Sequence, residues 1–260
     1  MSVGLIPESQ VVIEELHDGV LTLMLNRGDK LNALDLAMVD ALHAAFAFYE
    51  HRQDVNVVII VGAGERAFAA GADIGQLRDR RAADALQGIN ARLFDRIARF
   101  PAPTIAAVKG FALGGGCELA VACDIRIAGV SARFGQPETG LGIIAAAGAT
   151  WRLPALIGLG RAREMLLSGR LVDAAEALQI GLVNQVVPDS EVLMAAREMA
   201  TAIAKNDPLA TRLTKQNLQM VEGDMEKLRK FASASQAVCY ESTEKVRRMD
   251  EFLSRKRKKS

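Results

Sequence analysis

Two carboxylates in otherwise apolar stretches are the residues of this chain best placed to do chemistry. Glu118 stands in Leu113-Gly114-Gly115-Gly116-Cys117-Glu118-Leu119-Ala120 and is the only charged residue between Lys109 and Asp124. Glu138 lies twenty positions downstream in Phe134-Gly135-Gln136-Pro137-Glu138, a short loop between apolar segments. Two carboxyl groups entering one apolar site push their proton affinities apart, so that one can accept a proton while the other donates. Addition of water to a double bond needs that division of labour. A glutamate in the first turn of a helix also complements the helix dipole, so Glu118 alone would say little. The pair says more.

Three successive glycines before Glu118 cost chain entropy and need a reason. At the start of a helix they let backbone N–H groups meet a ligand, at the end where the dipole favours negative charge. The Lys-Ser/Thr pair of a phosphate loop is missing, which leaves an oxyanion as the better candidate ligand. Tight packing of helix against strand is the other reading of the same glycines. A second small-residue loop, Phe68-Ala69-Ala70-Gly71-Ala72-Asp73-Ile74, would allow close backbone approach to a ligand, with Asp73 suited to bond nearby N–H groups. Gly62-Ala63-Gly64 lacks the third glycine of a dinucleotide fingerprint.

The elements that must position these residues can be read from periodicity. Residues 11–16 and 20–25 are β-rich runs around His17-Asp18-Gly19, a hairpin signal. Residues 35–51 carry Leu36, Val39, Leu42, Ala45, Phe46 and Tyr49 at helical spacing. Runs 57–61, 104–108 and 125–128 read as strands, the first two buried on both faces. Residues 67–75 and 110–116 read as loops, with a helix from about Cys117. Strands alternating with helices indicate an α/β domain. From Ser190 onward only helical stretches remain, near 191–205, 208–221, 225–238 and 242–256. The expected division is an α/β core over residues 1–190 and an all-helical region over 191–260, packed on the core or on a neighbouring subunit.

Composition narrows the function classes. The 260 residues are half apolar and about a quarter charged, and Lys plus Arg (32) nearly cancels Asp plus Glu (31). No global field favours nucleic acid or a membrane surface. The run Arg255-Lys256-Arg257-Lys258-Lys259 is the local exception, read either as a solvated helix end or as a phosphate contact. Cys117, Cys123 and Cys239 form no zinc-like pair, and only three histidines are present, so no metal site is expected. Glu8, Glu14 and Glu15 near the start argue against a leader peptide, and no apolar stretch is long enough to span a bilayer. A cytoplasmic location is the expectation.

Taken in order, several segments resemble the crotonase (enoyl-CoA hydratase/isomerase) family. They are Leu31-Asn32-Ala33-Leu34, the 68–74 loop, the glycine-rich 113–120 stretch, Cys123-Asp124 and Phe134-Gly135-Gln136-Pro137-Glu138, followed by Gly169-Arg170 and Gly181-Leu182-Val183. The resemblance is strong to about Val187 and looser in the helical tail. It implies an α/β spiral of ββα units with a C-terminal helical region that builds trimers, often paired into hexamers. It implies an oxyanion hole from the N–H groups of Ala72 and Gly115, each donor being worth roughly 3–4 kcal/mol. The family's hydratases carry glutamates at the positions of Glu118 and Glu138. By that analogy Glu118 holds and deprotonates the attacking water, and Glu138 shares it and supplies the Cα proton. No cofactor is implied, since CoA is part of the substrate. Substrate contacts implied are Lys30, Leu31, Ala33, Ala70, Gly71, Asp73, Ile74, Gly75, Gly116 and Ala146, with Phe252 and Lys256 from the tail.

One stretch departs from the family pattern. After Gly142 the family commonly reads Ile-Pro-Gly-Ala-Gly-Gly-Thr-Gln-Arg-Leu, where this chain has Ile144-Ala145-Ala146-Ala147-Gly148-Ala149-Thr150-Trp151-Arg152-Leu153. The added methyls of Ala146 and Ala149 and the Trp151 indole are expected near the acyl pocket. The leading expectation is a hydratase of 2-enoyl-CoA thioesters. The alternatives are an isomerase of the same family, which would use Glu138 without a water-binding Glu118, and a non-catalytic CoA- or RNA-binding relative suggested by the basic tail.

Overall fold

A hairpin is the first described element of the computed structural model, which describes residues 11–79 and 82–219 together with 243 and 247. Strands β1 (Val12–His17) and β2 (Val20–Leu25) pair antiparallel. Asp18 (φ 49°) and Gly19 (φ 76°) turn between them with both φ angles positive, the form whose twist matches the strands it joins. Helix α1 (Leu36–Tyr49) follows, capped by Asp35, whose carboxylate accepts from Met38 N at 2.9 Å.

The chain then winds in repeated turns. Strand β3 (Val57–Gly62) leads to β4 (Ala67–Ala69) and the helices α2 (Ile74–Asp79), α3 (Ala82–Gln87) and α4 (Ile89–Arg99). Strand β5 (Thr104–Val108) leads to β6 (Phe111–Leu113) and α5 (Gly115–Ala122), and β7 (Ile125–Gly129) leads to β8 (Arg133–Gly135). Each turn lays its first strand in one sheet and its second in another. Among the described residues the larger sheet runs β1-β2-β3-β5-β7, completed by β10 (Gln185–Val187). The smaller runs β4-β6-β8, completed by β9 (Val172–Asp173). Neighbouring turns are parallel, with Val61 opposite Ala107 and Val108 opposite Ala128 in the larger sheet, and Ala67 opposite Phe111 and Phe111 opposite Arg133 in the smaller. This is the expected spiral of ββα units.

Burial on both faces explains why β3 and β5 are continuous apolar runs. Val58, Ile60, Ala106 and Val108 face the inner core with Leu42, Phe46, Leu93, Phe94 and Leu119. Val57, Ile59, Val61, Ile105 and Ala107 face the other way, onto Val192, Ala195, Ala196 and Ala200. Those four lie on α9 (Val192–Ala204), which covers the outer face of the larger sheet. Each fully buried Val or Ile is worth about 1.5–3 kcal/mol, so α9 supplies a second core for one face of the spiral. Helix α10 (Pro208–Leu218) is tied down by Lys215, whose Nζ lies 2.6 Å from Asp124 Oδ2 and donates to Ala102 O at 3.0 Å.

Several sequence expectations change at the short elements. Residues 67–75 are not loop throughout, since β4 occupies the first part and α2 starts at Ile74. Residues 110–116 likewise contain β6, and the helix begins at Gly115 rather than Cys117. The 134–138 loop is the end of β8 followed by a 3-10 turn at Pro137–Leu141. Three-residue strands are too short for alternation to mark them, and only pairing with neighbouring turns makes them strands. The expected helix at 225–238, the contacts of Phe252 and Lys256, Cys239 and the 255–259 basic run lie outside the described residues, as does the expected 242–256 helix except for Thr243 and Arg247, which are helical. No helix among the described residues is long and apolar enough to cross a membrane.

Candidate active site

The three glycines serve three different ends. Gly114 is the N-cap of α5 at φ 50°, ψ −123°, and a Cβ there would meet Glu138 Oε1 at 2.8 Å. Gly116 abuts β4, and a Cβ there would fall 1.9 Å from Ala69 O. Gly115 is the first residue of α5, so its N–H has no acceptor within the helix. Of the two readings of this motif, close helix–strand packing fits Gly116 and an exposed donor fits Gly115.

The second donor comes from a bridge between distant loops. Leu34 N donates to Gly71 O at 2.8 Å and Asp73 N donates to Leu34 O at 3.4 Å, a single parallel bridge between Leu34 and Ala72. That pattern uses the groups on either side of Ala72 and leaves the Ala72 N–H out. Ala72 N lies 3.6 Å from where a Cβ on Gly115 would sit, so the two expected donors come together. Asp73 Oδ1 accepts from Gln76 N at 3.2 Å, which holds the start of α2.

Both carboxylates reach the same place from opposite sides. Glu118 is buried in the first turn of α5, and its Oε1 accepts from Ala147 N (2.8 Å) and Ala149 N (3.1 Å). These N–H groups belong to the start of α6 (Ala149–Ile157), so the side chain occupies the anion-favouring end of that helix. Burial pushes the Glu118 carboxyl up, against the Ala149 and Ala147 N–H bonds and the nearby Arg152 charge, which favour the carboxylate. Glu138 is buried in the 3-10 turn and is pushed up to about 7, chiefly by desolvation and further by the charge of Glu118. With its amide nitrogen turned toward Glu138, Gln136 donates to the two carboxylate oxygens at 3.0 and 3.1 Å. Glu118 thus accepts two N–H bonds that favour its charged form against burial, while Glu138 is pushed up to about 7. Such a pair can pass protons in both directions.

Ala72, Gly115, Glu118 and Glu138 all line one cavity of about 550 Å³. Of the expected substrate contacts, Ala70, Gly71, Ile74 and Ala146 line it as well. Lys30, Leu31 and Ala33 do not, but their segment runs beside the lining loop, with Ala70 N donating to Leu31 O at 3.0 Å. Asp73, Gly75 and Gly116 do not line the cavity either. The Trp151 indole and the Ala149 methyl are corrections. One row of α6, Ala149, Leu153 and Ile157, is buried in the core, so only the Ala149 N–H reaches the site. Two residues on, Trp151 is turned through about 200° and is 45% exposed, under the Arg152 guanidinium at 5.4 Å.

Sequence reasoning passed over Asn90, Leu77, Ile89, Leu141 and Ile143, which also line the cavity. They lie on helices and turns whose own patterns carry no sign of a site. Cys117 and Cys123 are free and buried, their thiols pushed up to about 12 chiefly by desolvation, which makes neither a ready nucleophile.

The enoyl-CoA hydratase/isomerase family model matches residues 15–259. The chain is 39% identical over 249 residues to a short-chain-enoyl-CoA hydratase of Clostridium acetobutylicum, covering 95% of each protein. It is 36% identical over 249 residues to a crotonyl-CoA hydratase of Syntrophomonas wolfei, covering 95% of this chain and 96% of that one. The solved enoyl-CoA hydratase from Bacillus anthracis superimposes with a TM-score of 0.91 at 35% identity, covering 95% of this chain and 97% of the other. This fold and this cavity define a crotonase-type protein, and the chain belongs to the enoyl-CoA hydratase/isomerase family.

The raised Glu138 carboxyl has a consequence for stability. A folded-state value near 7 against 4.5 for the free group means that the folded protein holds this proton more tightly than the unfolded chain. Its stabilising contribution is complete below pH 4.5 and is lost as pH rises to about 7. Glu138→Gln removes that loss, so the variant should gain on the wild type across this window, by about 1–3 kcal/mol at its upper end. Urea unfolding at a series of pH values checks this. Parallel pH profiles for the two proteins would mean that the site does not destabilise the carboxylate.

Proposed function

We propose that this protein is an enoyl-CoA hydratase that adds water across the 2,3 double bond of a 2-enoyl-CoA thioester. The observation that carries the reading is the convergence of two backbone N–H groups and two buried carboxyls on one cavity. The thioester oxygen lies between the N–H groups of Ala72 and Gly115. Glu118 takes a proton from water as its oxygen bonds to Cβ, and the electron pair of the double bond moves toward the thioester oxygen as an enolate. Glu138, neutral at that moment, delivers a proton to Cα. The net change is one water added. One proton then passes from Glu118 to Glu138 to restore the starting state. Donors aimed beforehand at developing negative charge stabilise the enolate more than the ground-state thioester.

The Lys30–Ala33 segment and the 70–75 loop form the CoA side of the site in this reading, with the exposed Lys30 available to a phosphate. The acyl group lies toward Ala146, Ile143 and Ile144. Assembly into trimers, alone or paired, accords with the apolar side chains left on the surface by α7 (Leu159–Ser168) and the segment between it and β9, among them Leu159, Leu167 and Leu171. Sedimentation equilibrium should give three or six times the chain mass, and a stable monomer at micromolar concentration would contradict the assembly.

Glu118→Gln should lower hydration of crotonyl-CoA by ~10²–10⁴-fold while keeping thioester binding. Glu138→Gln should cost as much, and should also stop exchange of the Cα proton of a saturated acyl-CoA with deuterated solvent. Glu118→Gln should keep part of that exchange. Equal loss of exchange in both variants would refute the division of roles, and near wild-type hydration by Glu118→Gln would overturn the two-glutamate mechanism in favour of single-glutamate chemistry through Glu138.

Ala146 is the one added methyl of the 144–153 stretch that faces the cavity near the acyl group without touching Glu118 through its N–H. Ala146→Gly should raise kcat/KM for long 2-enoyl-CoAs over crotonyl-CoA by about 10-fold, the scale of one methyl group in a pocket. An unchanged chain-length profile would remove Ala146 from the acyl contact.

A further inference from the structure

A third N–H group stands beside the two backbone donors. A methyl group built on Gly115 would lie 3.6 Å from Ala72 N and 3.5 Å from Asn90 Nδ2, and the Gly115 N–H springs from the same Cα. Three elements thus bring a donor to the side-chain-free flank of Gly115: the loop before α2, the start of α5 and the first turn of α4.

Asn90 has no local use for its amide. Asparagine in a first helical turn commonly bonds nearby backbone groups. Here the N-cap of α4 is Gly88, in the left-handed region at φ 60° and without a side-chain cap. Asn90 Oδ1 is buried and has no hydrogen-bond partner, a state that destabilises the fold unless something else requires it. Among the described residues that line the cavity, Asn90 is the only one with an uncharged polar side chain, and it stands among Ala85, Ile89, Ala91 and Leu77. An apolar residue would fill the same place without the orphaned oxygen.

We infer that Asn90 is a catalytic residue, a side-chain donor whose Nδ2 acts with the Ala72 and Gly115 N–H groups on the acyl oxygen as it gains negative charge. The inference rests on the thioester reading of the cavity and adds to it a donor that is not part of the backbone. A backbone N–H can be removed only by proline, which also fixes φ, so Asn90 is the donor open to change without altering the backbone. In a dry site a preorganised donor acts at full strength, and loss of one such side chain elsewhere costs roughly 10²–10³ in kcat. Asn90, sharing its oxygen with two backbone donors, should cost about 10-fold or more.

The test uses the full-length enzyme with Asn90→Leu, which keeps the bulk, and Asn90→Asp, which keeps the shape but has no donor once its carboxyl is ionised, so it is assayed on the alkaline side. Two quantities are measured: kcat and KM for crotonyl-CoA, and the infrared stretch of a carbon-13-labelled thioester carbonyl in bound, unreactive butyryl-CoA. Both variants should lose kcat with little change in KM, and the carbonyl band should lie at higher frequency in both than in the wild type. Identical bands and kcat in the wild type and Asn90→Leu would overturn the inference, as would variants that lose butyryl-CoA binding along with their circular-dichroism signature, since Asn90 would then be holding structure. A wild type that fails to hydrate crotonyl-CoA while its carbonyl band still depends on Asn90 would sink the hydratase reading and leave the donor in place.

Discussion

The close approach of α5 to β4 is the contact on which the rest of the site depends. Gly116 lies so near Ala69 O that even a methyl group would overlap the carbonyl. Because the helix can come in that far, the N–H at its first residue reaches the loop that follows β4, and Gly115 and Ala72 can face one atom of a ligand. The spacing of these donors is therefore set by packing between two turns of the spiral. The parallel register of β4 with β6 brings the two turns into line, and the single bridge from Leu34 to Ala72 fixes the loop from its other side.

Around that contact the electrostatics follow from dehydration. Two carboxyls in an apolar cavity would both be forced toward neutrality if nothing distinguished them. Glu118 accepts two N–H bonds at the start of α6, whereas Glu138 feels burial and the charge of its neighbour. Arg152 supports this asymmetry from beneath: its Nη1 donates to Ala147 O at 3.1 Å and its Nη2 pairs with Asp95 at 2.5 Å. The loop that solvates Glu118 is thus held to α4, the helix that carries Asn90. Two backbone donors, two acids and one amide come from four separate segments, and the packing between those segments keeps them in place.

The scaffold bears this because it is buried on both sides. With α9 on the outer face and α1, α4 and α5 within, the central strands of the larger sheet have no wet surface, and their dense packing resists displacement. An active site made of backbone N–H groups needs such rigidity, because its donors move only when whole elements move.

Much of this was legible in the residues themselves. The hairpin at Asp18-Gly19, the doubly buried run at Val57–Gly62, the helix after Asp35 and the two isolated glutamates all follow from local chemistry, because turn residues, periodicity and an unexplained charge act over short stretches. The resemblance to a family supplied the pairing of Ala72 with Gly115, which local pattern alone does not contain. Tertiary structure decided the rest. Trp151 and Ala149 left the expected pocket because the face a helix buries depends on what it meets, and the three-residue strands exist only through their neighbours. Gly116 became a packing residue, and Asn90, unremarkable among the polar residues of its segment, came to line the cavity beside Gly115. Sequence order records which groups are available, but the cavity is formed where distant segments meet, and the distances between those segments are set by close packing across the whole chain.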